Sequence, residues 1–187
     1  MTTASMTTLC AGPSESTQAT VSRLVDLATR GLVPMLDERT RLFCYRLNGE
    51  GGGIVREGLS PRYTAITLMG LHRLEQSGTQ SPIEIRPVLE GLLSGTDWVD
   101  NIGDLGLLVW LCAQLAPGRL EELDARIGLR NALQRYRDAE KGQTMELAWF
   151  LTGLCYWGLA LPVHLAGLKA LALDVYGRLK NNQGKHG

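Results

Sequence analysis

The chain lacks most of the features that announce a chemistry. Its 187 residues contain no C-x-x-C pair; Cys10, Cys44, Cys112 and Cys155 are scattered, with no spacing that suggests a zinc module or a disulfide framework. Reduced thiols and a cytoplasmic location follow as the simplest expectation, with no metal and no cofactor. There is no charge excess of either sign, because 19 Lys and Arg balance 19 Asp and Glu. Without a basic stripe or an acidic block, nucleic acid and anionic lipid are excluded as expected partners. No Walker loop, dinucleotide G-x-G-x-x-G, G-x-S-x-G elbow or H-E-x-x-H is present. The longest apolar run, Leu147 to Leu168, is interrupted at Pro162 and His164, short of the roughly 20 residues a membrane span requires. It reads instead as a buried helix, a turn at Pro162 and a second helix.

The N-terminus also lacks the basic start and apolar stretch of a secretory signal. Rich in Ser, Thr and Ala, residues 1–16 read as a disordered tail, which leaves 17–187 as one domain, a size that supports a substantial core.

What is present is a pattern. RYTAITLMGLHRL from Arg62, DLGLLVWLCAQLA from Asp104 and ELAWFLTGLCYWGLA from Glu146 share small and apolar residues and recur about every 42 positions. Each follows a helix-start signal: Ser60 with Pro61, Asn101 with Asp104, and Thr144. The second and third are apolar almost all round, so other elements must enclose them; these are inner helices. Three amphipathic stretches, from Ser81, Gly118 and Leu161, each with a proline at or just before its start (Pro82, Pro117, Pro162), read as outer helices. A further helix over about Thr17–Leu32, with Val21, Leu24, Val25 and Leu27 on one face, supplies an outer member before the first inner helix. Between them, RLFCYRL alternates like a strand and NGEGGG cannot hold a helix, predicting a short β-like hairpin or loop near 41–58.

The fold class expected is therefore all-α: about three tandem helical hairpins with a period near 42 residues. Such a period fits an open solenoid or a closed ring, and the all-apolar inner helices favour the ring. The order of polar cap, small and aromatic inner helix and proline-started outer helix, over about residues 57–180, resembles the α/α-toroid proteins: six-hairpin glycosidases, sugar epimerases, terpenoid cyclases and lanthionine cyclases. REGLSPRYTAITLMGL is most similar to toroid proteins associated with bacterial polysaccharide genes. Three hairpins are too few to close a ring. NNQGKHG falls where a loop into a fourth inner helix would begin, so the expectation is an incomplete toroid: a fragment, a homo-oligomer, or a half-ring completed by a complementary chain.

The toroid resemblance implies a carbohydrate or similar polar ligand at the inner-helix ends and, if the protein is an enzyme, a glycoside hydrolase, epimerase or lyase. Asp104 and Glu146 then occupy the positions of the catalytic acids. Helices packed about 8–10 Å apart place two such carboxylates near the roughly 6.5–9.5 Å separation of an inverting pair. The alternative is that both merely complement the helix dipole. Arg62, Tyr63, Asp97, Trp98 and Asp100 are the candidate ligand-binding residues, offering a guanidinium fork, carboxylates and aromatic faces; loop and cap roles explain the aspartates equally well. Glu57, beside Arg56, is read as a neutralised neighbour. The aspartate-rich runs of terpenoid cyclases are missing, and neither Cys112 nor Cys155 is followed by the His of a lanthionine-cyclase zinc site, so both read as small buried residues. A non-catalytic helical-repeat scaffold for protein interaction or self-association is the competing functional class.

Overall fold

The computed structural model describes residues 15–50, 53–136 and 143–184. Helix α1 (Glu15–Leu32) leads through a 3-10 turn into strands β1 (Leu36–Asp37), β2 (Leu42–Glu50) and β3 (Gly53–Leu59). Then follow α2 (Pro61–Gln76), α3 (Ile85–Ser94), α4 (Ile102–Leu115), α5 (Leu120–Ile127), α6 (Ala132–Arg135), α7 (Thr144–Ala160) and α8 (Leu165–Asn182). The described residues are mostly helical, with a small antiparallel sheet of order β1-β2-β3.

Helix α4 is the centre of the core. From Ile102 to Ala113 every residue but Trp110 is buried, as a sequence apolar everywhere except Asp104 requires. It packs most extensively on α7 and next on α2, while α3 lies on α2, α5 on α4 and α8 on α7. The three inner segments thus form a row, α2–α4–α7, backed by the outer ones. The α4–α7 contact is close because two glycines meet: a Cβ at Gly153 would lie 2.5 Å from the Gly106 carbonyl oxygen.

Two of the three expected caps form. The Ser60 hydroxyl accepts from the Tyr63 N–H at 3.4 Å, and Asn101 Oδ1 accepts from the Asp104 N–H at 2.9 Å, contacts of a kind worth about 1 kcal/mol each. The third does not. Gln143 holds the cap position without a side-chain bond, and Thr144 is already helical. The outer helix expected from Ser81 starts later, at Ile85, after Ser81 has formed a local turn with Ile83. Pro87 explains the delay: it has no N–H to give, so it is tolerated in the first turn of a helix and not in its interior. The stretch from Gly118 is not one helix either. Gly128 takes the left-handed conformation at φ 59° and ends α5, a position where glycine carries no Cβ penalty; a 3-10 turn and the single turn of α6 follow.

The hairpin near 41–58 is present as β2 and β3, with Arg46 opposite Glu57 and Asn48 opposite Val55. Glu57 is not neutralised by Arg56. Adjacent strand residues point to opposite faces, so Glu57 pairs across the ladder with Arg46 and Asn48, while Arg56 Nε donates to the Pro34 carbonyl at 2.7 Å. The sheet is anchored to α2 by Thr64, which is buried: its hydroxyl accepts from the Phe43 N–H at 2.8 Å and donates to the Ser60 carbonyl at 2.7 Å.

At the N-terminus, residues 1–14 lie outside the described residues, and Glu15 and Ser16, assigned above to the tail, are the first turn of α1. The apolar face of α1 is formed but not covered. None of its residues is buried, and Val21, Leu24 and Leu27 are each more than half exposed, so α1 does not seal the outer layer before α2. Among the described residues no single helix is long and apolar enough to cross a membrane, and the chain bends by 118° at Pro162, between α7 and the segment that follows.

Candidate functional site

The N-terminal ends of α2, α4 and α7 bring together Arg62, Asp104 and Glu146. Arg62 Nε donates to Asp104 Oδ1 at 2.7 Å, joining α2 to α4. The second carboxylate oxygen, Oδ2, accepts from Asn101 Nδ2 at 3.0 Å, while the backbone N–H of Asp104 is held by the same asparagine. Asp104 is only 3% exposed, and both of its oxygens are engaged. Its burial is therefore matched by a guanidinium, an amide and the positive end of the α4 dipole. The hydrogen bond to Asp104 raises the Arg62 pKa above its ordinary value, against an opposing effect of desolvation, with smaller support from the charges of Asp104 and Glu146. The guanidinium also lies 5.8 Å from the centre of the Trp149 ring, a cation–π geometry.

Glu146 approaches α4 across a third glycine: a Cβ at Gly103 would stand 2.9 Å from the Glu146 Cα. Its side chain is half-buried and has no hydrogen bond among the described residues.

Tyr63 turns the other way, toward the hairpin, where its ring lies 6.3 Å from that of Tyr45; both are about half exposed. Asp97 and Asp100 are exposed on the loop before α4, and Trp98 packs against the core, with its indole N–H buried and unpartnered. Tyr136 closes this loop by donating to the Val99 carbonyl at 3.2 Å. Burial pushes the Tyr136 phenol pKa up; Arg135 opposes this and the charges of Asp104 and Asp100 add to it.

Of the seven candidate residues, the structure joins Arg62, Asp104 and Glu146 and leaves Asp97, Trp98 and Asp100 as parts of a loop. Asn101 and Trp149 also belong to the cluster; the sequence marked Asn101 only as a cap and Trp149 only as one residue of an apolar inner helix. The signal for Asn101 was its position three residues before Asp104, which lets one side chain serve both the backbone N–H and the carboxylate. Among the described residues no group of three or more His, Cys, Asp or Glu side chains is placed to hold a metal ion. The clefts of about 770 Å³ and 340 Å³ at the other end of α2, both touching His72, do not include the cluster. His72 pairs with Gln76, and His164 with Glu121, each at 3.0 Å.

The two inner-helix cysteines, 43 residues apart, have different surroundings, contrary to the expectation that both are buried. Cys112 is buried on α4; Cys155 is exposed on α7. Burial pushes the Cys112 thiol up to about 11, and its Sγ donates to the Ala116 carbonyl at 3.4 Å. In dilute native protein at pH 8, iodoacetamide is expected to modify Cys155 while Cys112 stays free until denaturant is added; peptide mass mapping reads the difference. Because the folded pKa is the higher one, the Cys112 contribution to stability is fully present below about pH 9 and is lost as pH rises through about 11.

No protein-family model, curated protein or solved structure matches this chain.

Proposed function

We propose that this chain is a non-catalytic helical-hairpin module, part of a larger α/α layer, whose role is to pair the open edge of its last hairpin with another helical surface. The observation that carries the reading is the state of α7. This helix is apolar nearly all round, yet Leu159 is 76% and Met145 49% exposed. Apolar helix surface of this kind is characteristic of a binding face. The acids support the same reading. A general acid or base must reach a substrate proton, whereas the oxygens of Asp104 are occupied by Arg62 and Asn101.

A photo-cross-linking amino acid at position 159 tests this in cells producing the full chain, with position 174, exposed on the outer helix, as control. A discrete adduct from 159 and none from 174 is expected. Equal or absent cross-linking from the two positions would remove the interaction role.

A second reading keeps a polar ligand such as a carbohydrate at the N-terminal mouth, linked to polysaccharide metabolism as the toroid resemblance implies. The half-exposed pair Tyr45 and Tyr63 favours it, because adjacent aromatic faces are what a sugar ring stacks on; Arg62 and Glu146 would then supply polar contacts rather than catalysis.

A further inference from the structure

We infer that the space between α1 and α2 is a binding site for a free fatty acid, with the acyl chain held between the two helices and the carboxylate at Arg73.

Helix α1 is fully formed yet stands off the body. None of its residues is buried, and it packs chiefly on the 3-10 turn that follows it. Helices in full contact lie about 8–10 Å apart with their side chains interdigitated, which would bury an apolar face. The exit from α1 is pinned instead: in that turn the Pro34 carbonyl accepts from Arg56 Nε at 2.7 Å, and Leu36 just after it is buried. Tied to the sheet at this end, α1 overhangs α2 and leaves a cleft of about 410 Å³ between them.

The walls of the cleft specify what fits. From α1 come Val25, Ala28 and Leu32, which share one stripe of the helix at 100° per residue; from α2 come Gly70, Leu71 and Leu74. A volume of this size, apolar walls and a place between two helices are the marks of a small-molecule site. Gly70 makes the room, because a Cβ there would have nothing within 4 Å. Arg73 is the one charged residue that lines this cleft, and its side chain has no ion pair or hydrogen bond among the described residues. A neutral apolar ligand would leave that cation unused, and a small anion would leave the walls unused. A single chain ending in a carboxylate uses both.

The length of the chain is bounded as well. Val25 to Leu32 spans about 10 Å along the helix axis, room for roughly eight methylenes. Past Val25 and Leu74 the space opens into a wider cleft of about 630 Å³, where Gln18, Ser22 and Gln80 make the walls more polar and further methylenes gain little. A lipid surface is the other source of acyl chains. Against it, α1 carries Glu15 and Asp26 beside Arg23 and Arg30, without the excess of Lys and Arg that marks an interfacial helix.

Isothermal titration calorimetry of the full chain with decanoate is expected to show one site, with a dissociation constant of about 10–100 μM. Affinity should rise about three- to fourfold per methylene from hexanoate to decanoate and then level off. Gly70→Leu, which fills the cleft from α2, should lower affinity at least about tenfold, and Ala28→Glu should do the same from α1. Arg73→Gln should weaken decanoate about fivefold and leave its neutral glycerol ester unchanged. Leu159→Glu, on the α7 edge, should alter nothing, which separates this site from the interaction face. Circular dichroism confirms that each variant is folded, and Ala28→Glu decides where Gly70→Leu is not. No binding of decanoate up to about 1 mM, binding indifferent to both cleft variants, equal losses of acid and ester in Arg73→Gln, or a loss in Leu159→Glu would each overturn the proposal. So would protein that ignores decanoate but sediments with phosphatidylglycerol vesicles, a result that would assign α1 to a lipid surface.

Discussion

Gly153→Ala is expected to lower stability by about 2–3 kcal/mol in urea denaturation. An alanine in a helix interior ordinarily gains about 1 kcal/mol over glycine, so the sign is decided by what the methyl group meets. At position 153 it meets the Gly106 carbonyl oxygen at 2.5 Å, backbone that cannot rotate away, and forcing α4 from α7 costs about 3 kcal/mol or more. The clash therefore exceeds the propensity gain. Gly70→Ala is the control: that position is an exposed site on α2 with nothing within 4 Å of the new Cβ, and the same substitution there is expected to stabilise by about 0.5–1 kcal/mol. Opposite shifts in the urea midpoint at unchanged slope would establish that the two inner helices are held by backbone contact. Equal shifts would mean that the α4–α7 contact is looser than described.

Arg62→Ala is expected to cost about 3 kcal/mol, more than Asp104→Asn at about 1–2 kcal/mol, although the two remove the same ion pair. The asymmetry follows from burial. Asp104 is the enclosed partner, at 4% side-chain exposure against 38% for Arg62. Removing the arginine leaves a buried carboxylate with no cationic partner, met only by the Asn101 amide and the α4 dipole, whereas an arginine that has lost its aspartate can turn to water. The double variant Arg62→Ala with Asp104→Asn should be less damaged than the sum of the two, by more than about 1 kcal/mol, since neutralising the carboxylate removes the reason for its cost. Additive losses in thermal or urea unfolding would show that the pair contributes nothing as a pair. This is also where a structural role separates from the glycosidase resemblance: a carboxylate held by two donors responds in stability, and Asp104→Asn should change no glycan turnover.

The spacing of 42 residues was legible because helix starts are written in local chemistry. Ser60 and Asn101 carry side chains that bond the backbone they precede, and Arg62, Asp104 and Glu146 stand at 42-residue intervals just inside the three starts. The alternation of Leu42 to Leu47 and the glycines after it dictated a hairpin for the same reason, that strand period and turn chemistry are properties of neighbouring residues. Where a local rule had a competitor, it failed. Pro82 marked a helix start, but Pro87 five residues on forbade a helix from running through both, and Gly128 outweighed the apolar period on either side of it.

By itself, then, the sequence determined that the chain is mostly helical, where most inner helices begin, and that the N-terminal ends of three of them carry opposite charges. Only the tertiary structure decided what those features do. Similar apolar compositions on α4 and α7 gave one enclosed helix and one with an open sector, because enclosure depends on how many neighbours a helix has as well as on its own residues. Cys112 and Cys155 stand 43 residues apart, one more than the interval of the helix starts, so they fall about 100° apart around their helices, and Cys112 is buried while Cys155 is exposed. Asp104 reads from sequence as either an acid or a cap; the packing of α2 beside α4 puts Arg62 within 2.7 Å of it and makes it an ion-pair partner, an outcome fixed by a contact across 42 residues that no local pattern contains.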